Sequence, residues 1–365
     1  MSVIPNNRNQ AIDFLRAIAV SLTLFRHYGI NLFMYKIGWV GVDLFFVLSG
    51  FLVSGLLFGE FKKTGNIDFI RFFVRRGLKI YPLFYLLIII YVIQTKFDPI
   101  AKIDYHAIQV EALFYKNYVG GNAFWIHTWS IDVEEHFYLL LPLLFLTLIF
   151  FNKSSDKPFK VIPYLFVAIA IFCLALRTYV TLTQPFSHTT NVSPTHLRID
   201  SLLFGTLLSY FYHFHREKLA SFVTNNKNLL RIVSFILLLP CAIFWDENPQ
   251  MITWGFTSLY LGFGGILLLS IYSEIKLPPF LEKIYSGLAT MGLYSYSMYI
   301  IHWPLIWWFK LPIGGYLDAH FPIKLGAFFL YFGLVYLLGW ILSKTIEIPF
   351  LALRDKLFPA KSKSF

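Results

Sequence analysis

Ionisable side chains inside apolar segments are where chemistry is to be sought in this sequence, because each is costly in hydrocarbon unless it faces a partner or a wet cavity. The first apolar segment carries Asp13, Arg16, Arg26 and His27. Arg16 and His27 stand eleven residues apart. On a helix that is nearly a whole number of turns and a rise of about 16 Å, so both share one face at different depths. Asp13, three residues before Arg16, is placed to pair with it. The bland reading has Asp13 and Arg16 snorkelling at the end of the segment and His27 meeting a backbone carbonyl. Snorkelling suits Arg16; His27 lies deeper in the span, where histidines are rare, and that favours a working role for it.

Other clusters follow. In 71–82, RFFVRRGLKIYP, the cations Arg75, Arg76 and Lys79 suit a phosphate-rich molecule. A positive anchor explains their charge, but not the tight grouping with a proline just after it. In 128–139, TWSIDVEEHFYL, the residues Asp132, Glu134, Glu135 and His136 are able to hydrogen-bond sugar hydroxyls, with Trp129 beside them. Acidic residues also favour a first helical turn, which accounts for Asp132 better than for the second Glu. Asp43 opens the next span, in which the small residues Ser49, Gly50, Ser54 and Gly55 fit either close helix packing or a ligand-facing surface. Arg198 and Asp200, in RIDSLLFG, are read as a structural pair. His302, in SMYIIHWPLIWW, belongs to an interfacial belt or a stacking surface, and Glu347 with Pro349 closes IEIPF. His213 and His215 sit at a helix end and are not expected to bind metal, and the nucleotide and hydrolase motifs GxGxxG, P-loop, HExxH and GxSxG are absent.

These residues need a scaffold that keeps them out of lipid. The chain is 57% hydrophobic, 19% aromatic and 14% charged, so it belongs in a bilayer as an all-α bundle. Runs of about 20 apolar residues place about ten spans near 11–33, 38–58, 79–95, 133–151, 161–182, 197–213, 229–245, 251–272, 288–308 and 323–343. The net charge of +11 sits in short connections, not along one face, and so reports topology and not nucleic acid. With a cytoplasmic N-terminus, the connections 60–78, 152–160, 214–228 and 273–287 and the tail hold most of the Lys and Arg. The other side holds chiefly Lys36, Lys96, Lys102, Lys116 and Lys310, so both termini are expected to be cytoplasmic. The connection 96–130, with Trp125, His127 and Trp129, could cap an outward-facing cavity. The opening segment lacks a cleavage site and is expected to be a working first span. Cys173 and Cys241 lie in apolar runs as small hydrophobes, so neither a disulfide nor a cysteine metal site is expected.

Six short motifs in order resemble the acyltransferase 3 family of polytopic bacterial O-acyltransferases: Arg16 to His27, Phe45 to Gly50, Arg75 to Pro82, Trp129 to Tyr138, SYSMYIIHWPL and IEIPF. Three positions depart from the family pattern: Lys79 is the third basic residue, and Asp132 and His136 replace a small residue and Gln. The resemblance implies an enzyme of the bacterial inner membrane that acylates polysaccharide, lipopolysaccharide, peptidoglycan or a small glycoside. It implies acetyl-CoA or another acyl-CoA as cytoplasmic donor near Arg75, Arg76, Lys79 and Ser49, and a reacting centre at His27 with Arg16 and Asp13. It places a sugar-containing acceptor at the external face near Glu134, Glu135, Trp129 and His302, with membrane lipid around and no metal. Residues 1–345 form the acyltransferase domain and 346–365 a short basic tail, with no fused esterase-like domain expected. His27 acts as general base or as a transient acyl carrier. The rival reading is a transporter with a His/Glu/Arg pathway, against which stands the absence of two matching halves. No oligomeric state is favoured by the pattern.

Overall fold

The computed structural model describes residues 9–29, 33–97, 103–119, 125–152, 157–273, 277–313 and 321–360, and among them there is no strand. The helices are α1 (Gln10–Tyr28), α2 (Phe33–Ile37), α3 (Gly41–Thr64), α4 (Phe69–Phe97), α5 (Tyr105–Ala112), α6 (Trp129–Phe151), α7 (Ile162–Thr183) and α8 (Thr195–Phe214). They continue as α9 (Arg216–Asn225), α10 (Lys227–Ile243), α11 (Phe256–Tyr272), α12 (Pro279–Leu293), α13 (Ser295–Ile313), α14 (Phe321–Leu342) and α15 (Ile348–Leu357). Residues 1–8 and 361–365, the cations Lys102, Lys153 and Lys276, and the side chain of Lys310 lie outside this description.

Among the described residues six helical stretches are long and apolar enough to cross a membrane: Phe33–Thr64, Phe69–Phe97, Ile126–Phe151, Pro158–Thr183, Met251–Tyr272 and Pro322–Leu357. A seventh is added if α9 and α10, which meet at 83°, count as one broken span. The other segments expected to span are helical too, but differ for physical reasons. Asp13, Arg16 and Arg26 lower the apolarity of α1, Arg198 and Asp200 that of α8, and the expected 288–308 span is divided between α12 and α13 at Tyr294. The chain thus has the architecture of a multi-pass helical membrane protein, with fewer plainly apolar spans than the sequence predicts.

Local chemistry sets the ends that matter for the interior. Asn9 caps α1 by accepting from the Ala11 amide at 3.0 Å, and Gly29 ends it in the left-handed region at φ 81°. The helix therefore stops at Tyr28, short of residue 33, and His27 lies in its last turn and not at mid-span. α4 begins at Phe69, ten residues before the expected span, so the cations 75, 76 and 79 sit on its helical face with Pro82 inside the helix. α3 is the central element: 78% of its apolar window is buried, against 17% for the stretch containing α7. α3 meets α8 backbone to backbone, because a Cβ on Gly50 would run into the Leu202 carbonyl and one on Gly205 into that of Val47. Ser49, one residue earlier, turns to the interior instead, so the small-residue stretch serves packing and cavity lining on adjacent positions. Facing outward, Phe172 and Leu182 on α7, Phe235 on α10 and Phe329 on α14 are exposed, as suits contact with hydrocarbon.

Deep charges are matched across the bundle. Arg198 meets Asp43 at 2.5 Å, Arg177 meets Asp200 at 2.9 Å, and Lys116 meets Glu111 at 2.9 Å. The expected Arg198–Asp200 pair does not form, because side chains two residues apart leave a helix on different faces.

Candidate active site

α1, α3, α4, α6, α13 and α15 enclose a cavity of about 830 Å³, within the range of small-molecule sites. Lys63, Pro359 and Ala360 border it and are exposed, so the cavity is open at that end. Asn9 lines it as well, which brings the first and last described stretches of the chain to one cavity. Arg16, Lys63, Arg75, Arg76, Lys79 and Arg354 line its wall beside Asp13, Glu134, Glu347 and Asp355, so cations outnumber carboxylates there.

Each cation is held differently. Arg16 pairs with Asp13 at 3.8 Å, the i,i+3 contact that their spacing allows. Arg75 is engaged by α15: it pairs with Asp355 at 3.0 Å and donates to the carbonyl of Phe358. The Arg76 guanidinium lies 4.3 Å from the centre of the Tyr138 ring, and neither it nor Lys79 makes an ion pair among the described residues. Spacings of three and four residues from Lys79 put Arg76 and Arg75 on adjoining faces of α4.

Glu134 shares this cavity with the cations. It accepts hydrogen bonds from Ser49 Oγ at 2.6 Å and from Tyr138 at 2.8 Å. Sequence reasoning puts it on the opposite face from Arg75, Arg76 and Lys79. The structure differs because α6 begins at Trp129, which carries Glu134 into its second turn and against the middle of α3. Glu135, turned about 100° from it on the helix, accepts instead from Tyr81 at 3.0 Å and does not line the cavity. Trp129 packs beside Phe46 and His188, with ring centroids 6.1 and 5.1 Å away, and is also outside the lining. Asp132 accepts from the Asn117 amide at 3.0 Å, fastening the connection before α6, and His136 Nδ1 contacts Thr195 Oγ1 at 2.6 Å, at the start of α8.

Beyond the cavity stands a histidine cluster. His27 Nδ1 is 2.8 Å from His302 Nε2, with rings nearly parallel at 13°. Trp303 meets His27 edge-on at 5.0 Å, and the His127 ring centre lies 4.6 Å from that of His302. Tyr299 joins the two regions. It lines the cavity, its hydroxyl donates to the His127 carbonyl at 2.7 Å and contacts Ser130 Oγ at 2.7 Å, and its ring lies 5.4 Å from His302. Of the residues chosen from sequence, Asp13, Arg16, Ser49, Arg75, Arg76, Lys79 and Glu134 meet in the cavity, and His27 and His302 meet in the cluster. Sequence reasoning assigned no role to Tyr299, Tyr138 or Ser130, and treated His127 only as part of a cap. The spacing of Tyr299 three residues before His302 was the one available signal. Glu347, in a π turn at Ser343–Glu347, also lines the cavity and accepts from Ser297 Oγ at 2.9 Å.

Comparison with known proteins identifies the family of the chain. A family model described as an acyltransferase domain matches residues 9–344. SACOL0978 of Staphylococcus aureus strain COL, provisionally named an O-acetyltransferase, is 27% identical over 362 residues, covering 93% of this chain and 56% of its own. O-acetyltransferase OatA of Staphylococcus aureus strain NCTC 8325 is 26% identical over 311 residues, covering 81% of this chain and 50% of its own. The chain thus spans about half the length of the curated relatives it matches. No solved structure matches it significantly. With the family model covering nearly the whole described bundle, and the cations and histidines of the family motifs gathered around one interior, this chain belongs to the acyltransferase 3 family.

Proposed function

We propose that this chain is an O-acetyltransferase of the bacterial inner membrane, which takes acetyl from cytoplasmic acetyl-CoA and delivers it to a hydroxyl of a sugar-containing acceptor. The observation that carries this reading is the join between the cationic cavity and the histidine cluster through Tyr299 and Ser130. The pyrophosphate and 3′-phosphate of the donor suit Arg76 and Lys79, neither of which makes an ion pair among the described residues. The thioester arm then runs toward Tyr299, and His27 lies about 16 Å along α1 from Arg16 by helical rise.

At the reacting centre His27 takes the proton of the acceptor hydroxyl as its oxygen attacks the thioester carbonyl. The carbon–sulfur bond breaks and the CoA thiolate recovers that proton from His27, leaving an ester and free CoA. In the two-step version His27 attacks the thioester carbonyl and the carbon–sulfur bond breaks, releasing the CoA thiolate; the acceptor oxygen then attacks the acyl carbon, the carbon–nitrogen bond to His27 breaks, and the hydroxyl proton passes to the thiolate, again leaving an ester and free CoA. Glu134 hydrogen-bonds the acceptor or tunes the charge of the donor cavity. The shared border of Asn9, Pro359 and Ala360 supports both chain ends lying on one side, and the Lys and Arg distribution supports that side being cytoplasmic.

The test is turnover of labelled acetyl-CoA by the purified chain in proteoliposomes, read as free thiol and as ester on an added glycan or glycoside. His27→Ala at matched protein level is expected to lower transfer by about 10²- to 10⁴-fold; near-normal transfer would remove His27 from the reaction. A transporter would bind or move solute without consuming acetyl-CoA. In intact spheroplasts a cysteine at Tyr105 is expected to be labelled from outside and one at Pro359 to be protected; the reverse pattern would invert the topology.

A further inference from the structure

We infer that His302 is a positioning residue: it holds His27 in the one tautomer that leaves Nε2 as the atom facing the reaction. This rests on the reading of His27 as the reacting residue. His302 is fully buried in α13, and its Nδ1 lies 2.5 Å from the backbone carbonyl oxygen of Tyr299. A carbonyl only accepts, so Nδ1 of His302 carries the proton, and in the neutral ring Nε2 carries the lone pair. That Nε2 is 2.8 Å from Nδ1 of His27. The bond between them therefore needs the proton on His27 Nδ1, and a neutral imidazole has only one. Nε2 of His27 is then the basic and nucleophilic atom, whether it takes the hydroxyl proton or accepts the acyl group.

The surroundings fix this arrangement. The His302 ring lies edge to edge with that of His27, tilted by only 13° with centroids 5.0 Å apart, and meets His127 at 4.6 Å. Tyr331 on α14 donates to the His302 carbonyl at 3.2 Å, tying that turn of α13 in place. When His27 Nε2 gains the proton, its Nδ1–H bond to His302 becomes charge-assisted and stronger. The proton returns from Nε2 to the leaving thiolate, so His302 ends each cycle as it began. The role parallels that of the carboxylate in a Ser-His-Asp triad, which orients its histidine and steadies the imidazolium without itself being protonated. His302 is fully buried and its Nε2 is taken up by His27, so it acts through His27.

The full chain in lipid nanodiscs would be compared as wild type, His27→Ala, His302→Leu and His302→Gln. Glutamine carries an amide oxygen that can accept from His27 Nδ1; leucine cannot. His302→Leu is expected to lower kcat by about a hundredfold or more, with KM for acetyl-CoA changed by no more than about threefold. His302→Gln is expected to recover at least about tenfold of that loss. Histidine ¹⁵N spectra should show His27 protonated on Nδ1 in wild type and in His302→Gln. Wild-type kcat in His302→Leu with an inactive His27→Ala would overturn the inference alone, whereas an active His27→Ala would overturn the functional reading beneath it. Should His302→Leu fail to fold, the wild-type spectrum still decides: a proton on His27 Nε2 refutes the assignment.

Discussion

Two sets of interior cations in this molecule stand in opposite circumstances. Arg177 and Arg198 are fully buried and closed off, one held by Asp200 at 2.9 Å and the other by Asp43 at 2.5 Å. Arg198 also lies over the Phe256 ring at 3.8 Å, and Arg177 donates to Thr257 at 2.7 Å. Arg76 and Lys79 border an open cavity and make no ion pair among the described residues. Removing one partner of a closed pair leaves a buried charge uncompensated and threatens the fold. A cation lining a wet cavity has its counter-charge still to come, and removing it threatens binding. The same arginine in a span thus has a structural or a binding meaning according to what faces it, which its position in the sequence does not tell.

The comparison can be broken at several points. The largest effect is expected for Arg198→Leu or Asp43→Ala, each a loss of about 3 to 5 kcal/mol of stability, read as reduced yield and a lower melting point in detergent. A normally stable Arg198→Leu with weakened acetyl-CoA binding would place that arginine in the wrong set. Next comes Arg76→Ala, where loss of a charge-assisted phosphate contact worth about 1.5 to 3 kcal/mol raises KM for acetyl-CoA by roughly ten- to a hundredfold with an unchanged melting point. Unchanged donor affinity in both Arg76→Ala and Lys79→Ala would reduce the cluster to a topological anchor. The smallest effect concerns Arg75, which is already engaged by the half-exposed Asp355. An ion pair as exposed as this is worth at most about 1 kcal/mol, so Asp355→Asn should lower KM for acetyl-CoA by no more than about fivefold. A rise in KM instead would show that α15 supports the donor site and does not compete for Arg75.

The general character of the site was legible from local sequence. The i,i+3 spacing of Asp13 and Arg16 gives their pair, and the clustering of 75, 76 and 79 on one short stretch gives a cationic wall wherever that helix lies. The division of labour within TWSIDVEEHFYL was not legible. Glu134 faces the cavity, Glu135 faces Tyr81, Asp132 ties down the connection at Asn117 and His136 meets the start of α8, although all four are near neighbours in sequence. Successive residues on a helix point about 100° apart, so each one's role depends on how far α6 is rotated, and that is set by packing against α3, α4 and α8.

By itself the sequence determined the class of the molecule. A chain 57% hydrophobic with long apolar runs must satisfy its backbone inside helices within a bilayer, and any charge in those helices must be partnered or functional. Only the tertiary structure decided the partners. His27 meets His302 across 275 residues and Arg198 meets Asp43 across 155. Such contacts arise from how helices rotate and approach one another, as where Gly50 and Gly205 let α3 and α8 touch backbone to backbone, and no spacing along a single helix encodes them.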